Sequence, residues 1–442
     1  MLKPASRALL ILLVILPVAA CRNAFGQSAG APPATTSSNQ NTAAKPAYSL
    51  PPEKLAQAIA YSRARTMLGF AQTGWGILTL VLMLALGVVA AFRDWAVGAT
   101  AKRWLQGFIF VPLLVLASSV VGLPLDLYGQ RLELKYGQSV QSWASWWWDW
   151  TKGQVIAIVV FSLLALLLFW VIRKSPRHWW AWFWLASLPI MVFLVFIAPV
   201  VIEPMFNKFE PLAKSDPSLV ERLEQVVHRG GIVIPADRMF LMKASEKVTG
   251  VNAYVTGFGA SKRVVVWDTT IARATPDEIS FIFAHEMGHY VLGHIVRGLI
   301  FAAVLLLVLL WLGYHTVHWL IRRFGASWRI PSVEDWGALA VLMLALSVFS
   351  FLSEPIANGF SRSQEHTADV YGQEAIHGIV AHPSQVAQQS FQLLGESYLD
   401  DPNPRPFVEF WTYNHPSVAS RAAFAANYHP WDPGQQPKYF KK

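Results

Sequence analysis

His285, Glu286 and His289 fall together in the stretch "AHEMGH". On a helix, residues four apart share a face, so two imidazoles at this spacing point at one ion. Zinc takes about four nitrogen, oxygen or sulfur ligands in a tetrahedron, and a catalytic site leaves one position to water. Glu286, beside the first histidine, is placed to take a proton from that water. The chemistry suggested is metal-assisted hydrolysis with one Zn2+ per chain.

A third ligand is needed. His294 follows His289 by five positions and reads as a polar residue at a membrane boundary. Further along, "SRSQEHTADVYG" carries Glu365 and Asp369 at helical spacing. Taken alone, these are an ordinary charged helix face. Beside the histidine pair, they read as a carboxylate ligand from a second helix and an aspartate that hydrogen-bonds a ligand histidine. The chain has one cysteine, Cys21, so neither an internal disulfide nor a cysteine metal site is expected.

The elements that must hold these residues follow from local signals. In "TPDEISFIFAHEMGH", Thr275 is the expected N-cap, Pro276 the first helical residue and Glu278 the closing member of a capping box. No later proline interrupts this helix, which is expected to run on into an apolar segment. "DPSLVERLEQVVHRGG" reads as a helix ended by glycines, "MFLMK" as a strand, and "VNAYVTG-FGASKR-VVVWDTT" as a β-hairpin.

With 54% hydrophobic and 14% charged residues in 442, the chain is no average soluble protein. Six charge-poor runs reach the roughly 20 residues that cross a bilayer: Met67–Phe92, Leu105–Leu125, Gln154–Ile172, Trp179–Ile202, Leu299–Ile321 and Trp336–Ile356. Tryptophans crowd their ends, as headgroup anchors do. The net charge of +9 is spread over the loops flanking these runs, which argues for a lipid bilayer as partner and against nucleic acid. Two spans separate His289 from Glu365, an even number, so both lie on one side of the membrane and close to its surface. A metalloprotease there would take polypeptide substrates at or near the bilayer.

The N-terminus, "MLKPASRALLILLVILPVAAC", resembles a bacterial lipoprotein signal ending at Cys21. The expected organisation is a signal-like segment over 1–21, a disordered linker over 22–52 and a four-span membrane region over 53–202. A catalytic region over 203–296, a two-span hairpin over 297–356 and a second catalytic region over 357–442 follow.

The chain resembles the type I CAAX prenyl endopeptidases, integral-membrane zinc proteases related to bacterial heat-shock membrane proteases. The matching pieces occur in order from about residue 60: "LPLDLY", "ELKYGQS", "IEPMFNKFEPL", "VNAYVTGFGASKRVVVWDTT", "AHEMGHYVLGH", "SRSQEHTAD" and "NHPSVASR". The resemblance implies a mainly α, polytopic membrane fold with a gluzincin-like zinc domain and a small β-hairpin. It implies His285, His289 and Glu365 as zinc ligands, Glu286 as base and Asp369 as support to a ligand. His415 and Arg421 would be active-site residues that stabilise an oxyanion and orient the site. Asn252, Ala253 and Tyr254 would belong to a strand edge that pairs with substrate.

Basic residues at Arg93, Lys102, Arg103, Arg173, Lys174, Arg177, Arg322, Arg323 and Arg329 fall on the loops opposite the metal site. By the positive-inside tendency those loops are cytoplasmic, which favours the outer, periplasmic face of a bacterial inner membrane for the site, whereas the family resemblance implies a cytoplasm-facing site. The competing function is a non-catalytic membrane scaffold or transporter with a structural metal. Against it, structural zinc sites close their fourth position with a protein ligand, usually cysteine, and charge inside the spans is scarce. Sequence alone leaves the oligomeric state open.

Overall fold

A computed structural model describes residues 46–257 and 262–441. The signal-like segment, Cys21 and the turn of the hairpin lie outside the described residues. Among the described residues six helices are long and apolar enough to cross a membrane: Pro52–Ala85, Arg103–Lys135, Trp143–Lys174, Trp179–Phe196, His294–Trp328 and Ala338–Ala375. Their number matches the expected runs, but several boundaries differ. The run expected over Met67–Phe92 is two helices, because Gly87 adopts a left-handed conformation (φ 73°) and Val88–Ala99 starts afresh. The expected linker ends early: Tyr48 and Leu50 are buried, and the Tyr48 hydroxyl donates to Asp400 O at 2.9 Å. Two large apolar side chains are enough to dock this strip of a polar-rich segment.

The buried residues form two main clusters. One lies among the spans, with Phe110, Phe169, Leu306, Leu310 and Leu342 in it. The other lies in the polar half and joins Leu223, Phe283, Met287, Tyr371 and Phe391. The amphipathic helix Pro217–Arg229 covers this second core with Leu219, Val220, Leu223, Val226 and Val227, which repeat at helical spacing. Asp216 caps it, accepting from Leu219 N at 3.0 Å.

The sheet has four strands: β1 (Phe209–Pro211), β2 (Met239–Met242), β3 (Ala253–Thr256) and β4 (Arg263–Trp267), in the order β1-β2-β4-β3. β3 and β4 form the expected antiparallel hairpin, β2 runs parallel to β4, and β1 is a short addition. All five β4 residues are buried, as suits the strand with a neighbour on each side. β3 is left at an edge beside the helix Pro276–Val291.

The helix Pro276–Val291 begins with the expected capping box, Glu278 N to Thr275 Oγ1 at 3.3 Å and Thr275 N to Glu278 Oε2 at 2.7 Å. It does not continue into the membrane. Leu292 closes it, Gly293 is left-handed (φ 70°), and a separate helix starts at His294. Glycine tolerates this conformation where other residues are strained, and it ends helices for that reason. The last span instead runs without a break through its polar end, so Glu365 and Asp369 ride on the 38-residue helix Ala338–Ala375.

Candidate metal and active site

The ligand pair and Glu365 are brought together by close contact between two helices. A Cβ on Gly372 would lie 2.9 Å from His285 N and 3.1 Å from His285 Cα, and one on Gly288 would lie 3.0 Å from the Tyr371 ring. Only glycine lets the Glu365 helix approach the backbone of the histidine helix so nearly. Between them, His285 Nε2 and His289 Nε2 are 3.1 Å apart. Glu365 Oε2 is 3.2 Å from His285 Nε2, and Glu365 Oε1 is 3.4 Å from His289 Nε2.

These atoms are the right kind and too close to be left to themselves. Glu365 is 3% exposed, and its Oε2 has no well-aligned hydrogen-bond donor. A buried carboxylate oxygen without a partner is costly, so the cluster calls for a cation. His285 shows the same demand: burial opposes a charge there, yet Asp369 and Glu365 outweigh it and push the imidazole up to about 10. The donor set of two imidazoles and one carboxylate fits a metal ion.

Around this trio the other expected residues are arranged by clear partners. Asp369 Oδ1 lies 2.8 Å from His285 Nδ1, close but off the line of a well-aligned hydrogen bond. Arg421, on the helix Val418–Asn427, grips Asp369 with two prongs, Nε to Oδ2 at 2.9 Å and Nη2 to Oδ1 at 2.6 Å. Its guanidinium is 3.7 Å from Glu365 Oε2. His415 Nε2 is 3.2 Å from Glu365 Oε1, and burial lowers this imidazole to about 4, which keeps it neutral. Glu286 is partly exposed and hydrogen-bonds to no described residue, and burial raises its carboxyl against the pull of His285 and His289.

The strand residues divide by direction. Trp267 N donates to Asn252 O at 3.0 Å, and Asn252 N donates to Thr270 Oγ1 at 2.7 Å, so the backbone of Asn252 turns inward toward β4. Backbone groups alternate along an antiparallel strand, which turns those of Ala253 and Val255 to the free edge. Tyr254 commits its hydroxyl to Glu203 Oε2 at 2.8 Å, a carboxylate that Arg263 Nη2 also reaches at 3.0 Å. The sequence reading named Ala253 but missed Val255. Strand parity, counted from the hairpin, was the signal for it.

His294 has a contact that its sequence position did not suggest. At the start of the span His294–Trp328 it is buried, and its Nδ1 lies 3.0 Å from His289 Nδ1. Gly293 just before it was the available sign of a break that would redirect its side chain.

Comparison with known proteins accords with this geometry. Residues 35–208 match the family model described as the CAAX prenyl protease N-terminal region with five membrane helices, and residues 213–429 match Peptidase family M48. A Bacillus subtilis (strain 168) protein named uncharacterized metalloprotease YhfN is 35% identical over 390 residues, 87% of this chain and 88% of that one. The chain belongs to peptidase family M48. CAAX prenyl protease 1 of Saccharomyces cerevisiae is 27% identical over 331 residues, 72% of this chain and 71% of its own. The crystal structure of S. mikatae Ste24p has the same fold, with a TM-score of 0.73 over 86% of this chain and 89% of that chain, at 24% identity. The protein is thus an M48 membrane metalloprotease, which favours the protease reading over the scaffold and transporter one. Peptidase chemistry requires a polypeptide substrate, and M48 membership implies a metal.

Proposed function

We propose that the protein is a zinc endopeptidase of a bacterial inner membrane that cuts membrane-proximal or misfolded polypeptides, with its site on the outer face. The observation that carries the zinc reading is the close cluster of donor atoms from two imidazoles and one carboxylate. Ligand atoms about 2.0–2.1 Å from a tetrahedral ion stand about 3.3–3.4 Å apart. Here the two imidazole nitrogens are 3.1 Å apart, and Glu365 reaches His285 Nε2 with Oε2 at 3.2 Å and His289 Nε2 with Oε1 at 3.4 Å. His285, His289 and Glu365 are the proposed ligands.

A bound zinc ion would supply Lewis acidity, polarising the scissile carbonyl and making water acidic enough to attack near neutral pH. Glu286 takes the proton from that water and returns it to the leaving amine, a role suited to a carboxylate with no other partner. The free edge of β3, through Ala253 and Val255, aligns the extended substrate by β-augmentation, and Asn252 and Tyr254 hold the strand from behind. His415 donates toward the carbonyl oxygen as negative charge develops there. Arg421 works through Asp369, keeping that carboxylate in place against His285. The spans, residues 53–202 and 297–356, act as the frame for catalytic regions over 203–296 and 357–442.

The decisive test pairs purified wild type with Glu286→Gln on an unfolded, casein-like protein, with and without a chelator. Zinc content near one per chain in both, and chelator-sensitive cleavage in wild type alone, is the expected result. A variant that keeps full cleavage would refute Glu286 as the base.

A further inference from the structure

His294 takes no place in the ligand group, yet it is only 3% exposed. It is held by two contacts. Its Nδ1 is 3.0 Å from His289 Nδ1, and its Nε2 is 3.1 Å from Thr367 Oγ1. The Thr367 hydroxyl in turn donates to Gln364 O at 2.8 Å.

With His289 Nε2 turned to an ion, the protons on this chain have one consistent arrangement. His289 carries its proton on Nδ1 and donates it to His294 Nδ1. His294 then accepts at Nδ1 and carries its own proton on Nε2, which goes to Thr367 Oγ1. Thr367 still has its hydroxyl proton, and Gln364 O receives it. Every donor meets an acceptor, and the His294 imidazole is neutral.

We infer that His294 is a positioning residue that fixes the tautomer and ring orientation of His289 and ties it through Thr367 to the backbone at Gln364. The inference rests on the metal-site reading above. Gln364 precedes Glu365, so the chain of hydrogen bonds joins one ligand to the segment that carries another. Metal-binding histidines are commonly braced at their second nitrogen, and such partners tune affinity. Here the two ligand histidines are braced differently, His285 by the carboxylate of Asp369 and His289 by a neutral imidazole.

The break at Gly293 is what makes this possible. On an unbroken helix, a residue five positions on lies about 140° around the axis, out of reach of His289. The left-handed Gly293 (φ 70°) resets the direction and brings His294 beneath its neighbour.

The test measures zinc affinity by competition with a chromophoric chelator, using full-length protein in detergent and a Glu286→Gln background, so that proteolysis plays no part. His294→Ala is expected to weaken zinc binding about 10–100-fold. His294→Asn, whose Oδ1 takes the place of Nδ1, is expected to recover most of that loss. Thr367→Val, which removes only the relay hydroxyl, is expected to weaken binding a few-fold. Should the alanine variant not fold, the Thr367→Val result decides, and unchanged affinity there overturns the inference. An alanine variant that binds zinc like its parent, or an asparagine variant as weak as alanine, overturns it as well. A parent that binds no zinc overturns the metal-site reading too, which separates the two failures.

Discussion

Asp400 is a buried carboxyl with a measurable consequence. It is 7% exposed, and its Oδ2 has no hydrogen-bond partner. Burial raises its pKa to about 7, against the opposing pull of Arg65 and Arg421. An unfolded aspartate loses its proton near pH 4, so between about 4 and 7 the folded chain holds a proton that the unfolded chain has released. The folded state therefore loses stability as pH rises through this window, and no further loss comes from this group above it. Asp400→Asn should melt with wild type at pH 4 and above it at pH 8, the gap opening mainly between pH 5 and 7. A gap that stays constant across this range would remove Asp400 as its cause. Arg421 belongs to the same scale: its two-pronged grip on Asp369 was invisible in sequence, where it matched only as part of "NHPSVASR".

Among the elements, the meeting of the two ligand-bearing helices decides whether a site exists. Gly372→Ala would press a methyl group against the His285 backbone, which cannot move as the tip of a flexible side chain can. Overpacking of this kind costs about 1–3 kcal/mol, and here the displacement falls directly on a ligand. The variant should lose at least about tenfold in zinc affinity along with the lowered melting temperature. Gly359→Ala on the same helix meets only the Arg362 guanidinium, at 3.6 Å, and serves as the control with little change in either. Equal zinc affinity in the two variants would show that helix separation is not limiting. The capping box, the hairpin and the amphipathic helix were legible because each depends on neighbours in sequence. The break at Gly293 was missed because the glycine sat inside an otherwise continuous helical and apolar pattern.

Over the whole molecule, the spans and loops set which face the site occupies. The loops away from the site are joined by Arg93 Nη1 to Asp335 Oδ2 at 2.5 Å and by Arg103 Nη2 to Glu334 O at 2.8 Å. Arg329 also pairs with Asp94 there. These basic loops favour the cytoplasmic side, so the catalytic face is proposed to look outward. A reporter fused after Lys442 that is active only outside the cytoplasm is the expected outcome. Activity of a cytoplasm-only reporter would reverse the orientation and leave the chemistry untouched.

By itself, the amino-acid sequence determined what can be read from near neighbours and from counts. The number of apolar runs, the "AHEMGH" spacing, the capped helix before it and the parity that places His289 and Glu365 on one side are all local or additive properties. Tertiary structure alone decided the rest. His294 beneath His289, Thr367 behind it, Arg421 on Asp369 and the free edge at Val255 each join residues far apart in the chain or redirected by one backbone angle. Such contacts follow from how helices pack and where they break, and helix packing turns on close approaches such as the one at Gly372 that no periodicity announces.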